Sequence, residues 1–143
     1  MMLKQVSVFI ENKRGRLTDV VQQLGNGGIN IRAMSLADTA DYGILRLIVS
    51  DPQKAAELLK EKQYTVKITD VLAIEIPDEP GALAEALRVI RDSEFTVEYM
   101  YAFLGNREQG AMVTFKCDDT EKVAELLKQN NVTVVDEEMV YEL

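Results

Sequence analysis

Two short stretches carry the residue types best suited to chemistry. Residues 11–17 read ENKRGRL and residues 77–83 read PDEPGAL, each with a glycine two places before a leucine. Both lie between a strand-like run and a helix-like run. A helix that starts at such a corner offers unpaired backbone N–H groups and the positive end of its dipole, a natural seat for a carboxylate. Gly15 removes the Cβ that would stand in the way of that approach. Gly15 and Gly81 serve equally well as turn glycines with nothing bound. Asn12 both donates and accepts hydrogen bonds, or closes a local Asx turn in Asn-Lys-Arg-Gly. Arg14 and Arg16 either reach a carboxylate or remain solvated.

Other chemistries find little support. There is no histidine among the 143 residues, which removes the commonest general base and metal ligand. No GxxxxGK[ST] or GxGxxG loop is present, and Gly25-Asn26-Gly27-Gly28 reads as a helix stop. Asp38, Asp41, Glu108, Asp118 and Asp119 fall in expected hairpin turns or at helix starts, where solvation or capping accounts for them. Neither catalysis, a metal nor a cofactor is expected. The single cysteine, Cys117, lies in an alternating apolar run and reads as an inert sheet residue. A formal charge of −8 argues against nucleic acid or an anionic membrane as partner. No apolar stretch reaches transmembrane length and no signal peptide is visible, so the expected location is the cytoplasm.

The two corners belong to a repeat of roughly 66 to 68 residues. Gly15 and Leu17 fall on Gly81 and Leu83, GINIRAM (28–34) on EFTVEYM (94–100), and DPQKAAELLKEKQYTV (51–66) on DTEKVAELLKQNNVTV (119–134). Each copy runs through the same changes of period. Val6, Val8 and Ile10 alternate as in a strand, and Leu17, Val20, Val21 and Leu24 mark one face of a helix. Gly27 and Gly28 stop it. Two strands follow at 29–37 and 43–49, then a helix opened by Pro52 and a strand at 65–69. The second copy predicts a strand at 71–76, a helix at 82–91, strands at 95–104 and 110–117, a helix at 120–129 and a strand at 132–136, with 139–142 as a possible short extra strand. The fold class is therefore α+β: a ferredoxin-like βαββαβ unit in two tandem copies, residues 1–70 and 71–143. Only Asp70 separates the copies, so no flexible tether is expected. Ile44, Ile48, Met34, Leu36, Met100 and Met112 are expected on the sheet faces that lack helices. Tyr99, Tyr101 and Phe103 read either as a ligand wall or as strand residues packed under the helices.

This string resembles a tandem pair of ACT domains, small regulatory modules of amino-acid metabolism, over essentially the whole chain. The residues that carry the resemblance are Asn12, Lys13, Arg14, Gly15, Leu17 and then Gly28, Ile29, Asn30, Ile31 in the first copy. In the second they are Asp78, Glu79, Pro80, Gly81, Leu83 and then Phe95, Thr96, Val97. The resemblance implies a sensor without catalysis of its own. It implies a free amino acid held at the strand-to-helix corner at an interface between units, in a homodimer or higher homo-oligomer, with an amino-acid-metabolism enzyme as a possible partner. The alternative is a ligand-free interaction or structural module.

By the same resemblance Asn12 and Asn30 contact the ligand; Gly15, Arg14 and Arg16 join them on the reading of the corner given above, with Arg14 standing where the second copy has Pro80. Both asparagines are expected near the same strand ends. Leu17, Ile31 and Met34 would set side-chain selectivity. Asp78, Gly81, Leu83, Thr96 and Met100 are the second-copy equivalents. There Asp78 replaces the amide of Asn12 and Thr96 replaces Asn30, so that corner either binds in another orientation or has become structural.

Overall fold

The computed structural model describes residues 2–38, 41–104 and 110–141. The alternating run forms β1 (Leu3–Glu11), followed by α1 (Arg16–Asn26), β2 (Ile31–Asp38), β3 (Tyr42–Val49), α2 (Pro52–Glu61) and β4 (Thr65–Ile76). The order then repeats with α3 (Ala82–Arg91), β5 (Val97–Ala102), β6 (Ala111–Cys117), α4 (Thr120–Gln129) and β7 (Thr133–Val134), and closes on α5 (Glu137–Tyr141). The chain divides into two compact units. Residues 4–69 make the body of the first and residues 70–140 that of the second. Asp70 is not a linker between two strands. It lies inside the unbroken strand Thr65–Ile76, whose start belongs to one unit and whose end belongs to the other.

In the first unit the strands are ordered β2-β3-β1-β4, the order that right-handed crossovers impose on βαββαβ. The antiparallel register pairs Val6 with Leu47, Val8 with Leu45 and Met34 with Leu47. Val6, Val8, Leu45 and Leu47 are fully buried against Val20, Leu24, Ala55 and Leu59 of the helices. Each large side chain so buried contributes about 1.5–3 kcal/mol. The second unit repeats this with β7-β4-β6-β5, where Leu72 pairs with Phe115 and Ile74 with Val113 over Ile90, Val123 and Leu127.

The repeat reaches irregular detail. β2 carries a bulge between Ile31 and Ala33, and β5 carries its counterpart between Val97 and Tyr99. These bulges decide which side chains face the helices. Met34 and Met100 pack against the two helix-covered cores, and Leu36 shares that face of β2 through its pairing with Leu45. None of the three belongs to the bare face where the simple alternation placed them. Ile44, Ile48 and Met112 do lie on the face opposite the helices, as partners of Phe9, Ala33 and Glu75. Tyr99 and Tyr101 face the same way, paired with Lys116 and Thr114, and do not pack under the helices.

Helix ends follow their end residues. Asp51 and Asp119 accept from the backbone N–H of Lys54 and Lys122, both at 3.1 Å, and so cap α2 and α4. Gly28 in the left-handed region (φ 73°) ends α1 by a Schellman turn, with Ile29 N–H donating to the Leu24 carbonyl at 3.0 Å. Gln63 (φ 69°) and Asn131 (φ 63°) do the same for α2 and α4 without a glycine. The segment expected as a final strand over 139–142 is instead helical through Tyr141, with Val140 buried. Its repeated acids, Glu137 and Glu138, occupy the first turn, where the helix dipole favours them.

Candidate functional site

The strand-to-helix corner of the first unit is built by Gly15. With φ at 85° it is the residue preceding α1, and no side chain caps that helix end. A Cβ added at Gly15 would meet no atom within 4 Å, so the approach to the helix start is open. Gly81 repeats this before α3, with φ at 87°, no side-chain cap and the same open space. Both second helices are capped by aspartate and both first helices are not. The first turns of α1 and α3 therefore retain N–H groups able to receive a carboxylate.

Beside Gly15, the Asn12 side-chain amide donates to Asp38 Oδ1 at 3.1 Å, and the Asn12 backbone N–H donates to the Asp41 carbonyl at 3.2 Å. Asn12 is thereby fixed against the β2–β3 hairpin. Glu11, Asn12, Lys13, Asp41 and Tyr42 line an open depression of about 390 Å³ here. Lys13 Nζ lies 2.8 Å from Glu11 Oε2, and that hydrogen bond and charge hold the Glu11 carboxyl below its ordinary range.

A second feature was not anticipated from the sequence. The end of β1, the start of α1 and the α2–β4 turn enclose an open recess of about 450 Å³, reached by Glu11, Arg16, Asp19, Lys62 and Tyr64 among others. The Tyr64 hydroxyl donates to Asp19 Oδ2 and straps the turn to the helix. Partial burial and then the Asp19 carboxylate push the Tyr64 phenol above its usual value, while the Arg16 guanidinium pulls the other way. The second unit builds the same recess from Pro77, Ala82, Glu85, Asn130 and Val132, at about 530 Å³. The signal was present in the sequence. KQYTV (62–66) aligns with NNVTV (130–134), and both carry a left-handed residue at the turn.

A model of the ACT domain pair matches residues 1–143. The chain belongs to the ACT domain pair family. Among solved structures it is similar to protein BT0572 from Bacteroides thetaiotaomicron, at 43% identity over 100% of this chain and 98% of that one, with a TM-score of 0.92. It is also similar in fold to the regulatory subunit of aspartate kinase from Thermus thermophilus in its ligand-free form, at 16% identity over 88% and 90% of the two chains, TM-score 0.65. The corresponding subunit from Thermus flavus gives 16% identity over 90% and 92%, TM-score 0.61. No curated protein matches.

Within this ACT pair the expected site residues divide into three groups. Asn12, Arg14, Gly15 and Arg16 are exposed and gather at the first corner, as Asp78 and Gly81 do at the second. Leu17, Ile31 and Met34 pack against the first core, and Leu83 and Met100 against the second, so their side chains serve packing. Asn30 and Thr96 lie elsewhere. Asn30 precedes Ile31, which pairs with Val49, whereas Asn12 follows Glu11, which pairs with Tyr42. The two asparagines are thus at opposite ends of one sheet, roughly 20 Å apart at about 3.3 Å per strand residue. The expectation that they share strand ends is wrong, because β1 and β2 run parallel and Asn12 ends one while Asn30 begins the other.

Asn30 also has a local task. Its N–H donates to Ser50 Oγ at 3.0 Å, and Ser50 N–H returns to the Asn30 carbonyl at 2.9 Å. Thr96 repeats this exchange with Asp118, its N–H donating to Oδ1 at 2.9 Å. Of the carboxylates assigned to turns and caps, Asp38 holds Asn12, Asp118 holds Thr96 and Asp119 caps α4, while Glu108 lies outside the described residues. Cys117 is buried, and burial followed by the Asp118 and Glu98 charges pushes its thiol up to about 11. Among the described residues no three His, Cys, Asp or Glu side chains group as a metal site, and no helix is long and apolar enough to cross a membrane.

Proposed function

We propose that this ACT domain pair is a regulatory protein that binds a free amino acid at the β1–α1 corner of its first unit and performs no catalysis itself. The supporting observation is the uncapped start of α1 behind an open, left-handed Gly15, beside a fixed carboxamide. The α-carboxylate sits on the first N–H groups of α1, with Arg14 or Arg16 supplying positive charge. The α-ammonium donates to the Asn12 amide oxygen and to Asp38, which already accepts from Asn12. The ligand side chain points away from the unit, because Leu17, Ile31 and Met34 are committed to the core. Selectivity then depends on a second copy of the chain in a homodimer or larger assembly. The fold shared with regulatory subunits of aspartate kinase supports a role beside an enzyme of amino-acid metabolism, in the cytoplasm where free amino acids are available.

Thermal melts with each of the twenty amino acids test this reading. A ligand that binds only the folded state at about a hundred times its Kd stabilises by about 2.7 kcal/mol. At least one amino acid should raise the melting temperature, and Asn12→Ala or Arg14→Ala should reduce that shift. If no amino acid moves the melt, or if the shift survives both substitutions, the corner is not the receptor.

A further inference from the structure

Both ends of the chain belong to the unit opposite to the copy they open or close. Met2 and Leu3 begin the first copy, and Leu3 is the first residue of β1, yet both fall in the second unit with residues 70–140. Leu3 is fully buried and Met2 packs against the second core. Tyr141 ends α5 at the close of the second copy, yet falls in the first unit with residues 4–69. Its neighbour Val140 is fully buried and stays in the second unit. β1 and α5 are therefore divided between the units in the same way as β4.

The C-terminal end meets a residue whose partnering differs between the copies. The bulge residue is Arg32 in β2 and Glu98 in β5. Glu98 takes Lys116 of β6 at 2.7 Å. The position aligned with Lys116 is Ile48, because Val49 pairs with Ile31 as Cys117 pairs with Val97. Isoleucine offers no side-chain hydrogen bond, and Arg32 Nη2 donates instead to the Tyr141 carbonyl at 3.3 Å. Arg32 Nε is buried without a hydrogen-bond partner, a cost tolerated only where surrounding packing holds the segment down.

We infer that the two chain ends are crossed straps that make the two units open as one cooperative body. Each unit has its own core, and such cores ordinarily open as separate local units. Here unfolding of the first unit removes the Arg32 seat from Tyr141, and β1 draws Met2 and Leu3 away from the second core. Unfolding of the second unit frees Val140 and, through α5, loosens Tyr141. A change that stabilises one unit is then felt in the other as a coupling free energy. This holds whatever either corner binds.

Native-state hydrogen exchange followed by mass spectrometry on the full chain tests it. The slowest amides of β3, in the first unit, and of β6, in the second, should exchange within about twofold of one another in wild type. Leu3→Asp and Val140→Asp each place a charge where a strap is buried and drive that strap out. With both substitutions the two rates should separate by about tenfold or more. Arg32→Ala leaves both cores intact and should speed exchange across residues 137–141 by about threefold or more, which keeps the test valid if the aspartates prevent folding. Rates that already differ by about tenfold in wild type would overturn the inference. So would rates that stay together in a folded double variant, since the coupling would then lie in the shared strand β4. Unchanged exchange across residues 137–141 in Arg32→Ala would remove the C-terminal strap and overturn it as well.

Discussion

Replacing Gly15 by alanine separates the conformational need for glycine from any need for space. At φ 85° an alanine suffers the left-handed penalty of about 1–2 kcal/mol, partly offset by the lower entropy of its unfolded chain, about 0.4–1 kcal/mol. Nothing lies within 4 Å of the added Cβ, so no steric cost is added. The net loss expected for Gly15→Ala is therefore about 1 kcal/mol, and Gly81→Ala, at φ 87° with the same open space, should match it. Asparagine tolerates the left-handed region, so Gly15→Asn should cost less than alanine. Gly110→Ala is the contrast. Its Cβ would stand 2.6 Å from the Ile76 carbonyl oxygen, a backbone atom, and the loss should be clearly larger. Urea unfolding followed by circular dichroism measures all four. A loss beyond about 3 kcal/mol for Gly15→Ala would mean that the Cβ meets a wall, outside the range of left-handed strain, and that the seat for a carboxylate is closed. No loss at all would mean that the corner does not require a left-handed residue.

Three further outcomes follow from local geometry. Asp51→Ala and Asp119→Ala each remove the side-chain cap of a helix, and each should cost about 1 kcal/mol by denaturant midpoint. Gln63→Gly relieves a non-glycine residue at φ 69° and should stabilise by less than about 1 kcal/mol, whereas Asn131→Gly should gain less because asparagine already tolerates that region. Cys117 is an acid whose folded pKa is raised from 9.0 to about 11, so the unfolded chain loses its proton first, and stability should fall as pH rises through that window. Native-state labelling by an aromatic disulfide at pH 8 should be slow and should become fast in denaturant. Rapid labelling of the native protein would contradict the burial of Cys117.

The architecture was legible because its signals are repeated. Two copies of one period change, each with a glycine before the first helix and an aspartate before the second, leave little choice of topology, and the ACT resemblance fell on matching residues. Face assignment was less legible. A bulge at Ile31–Ala33 and another at Val97–Tyr99 break the period of two, and nothing in the composition of either stretch announces an extra residue. That single residue moves Met34 and Met100 into the cores and turns Tyr99 and Tyr101 to the opposite face.

The site was legible only where backbone conformation is tied to residue type. Gly15 and Gly81 were expected at the corners as turn glycines, and both stand there, before α1 and α3, in the left-handed region. Asn30 misled because its motif neighbours in the sequence are not its neighbours across the sheet: parallel β1 and β2 put the end of one far from the start of the other. The recess is not legible in the sequence for the reverse reason. Its walls come from segments 46 or more residues apart, Arg16 with Lys62 in one unit and Ala82 with Asn130 in the other. Only the alignment of the copies sets Tyr64 and Arg16 opposite Val132 and Ala82.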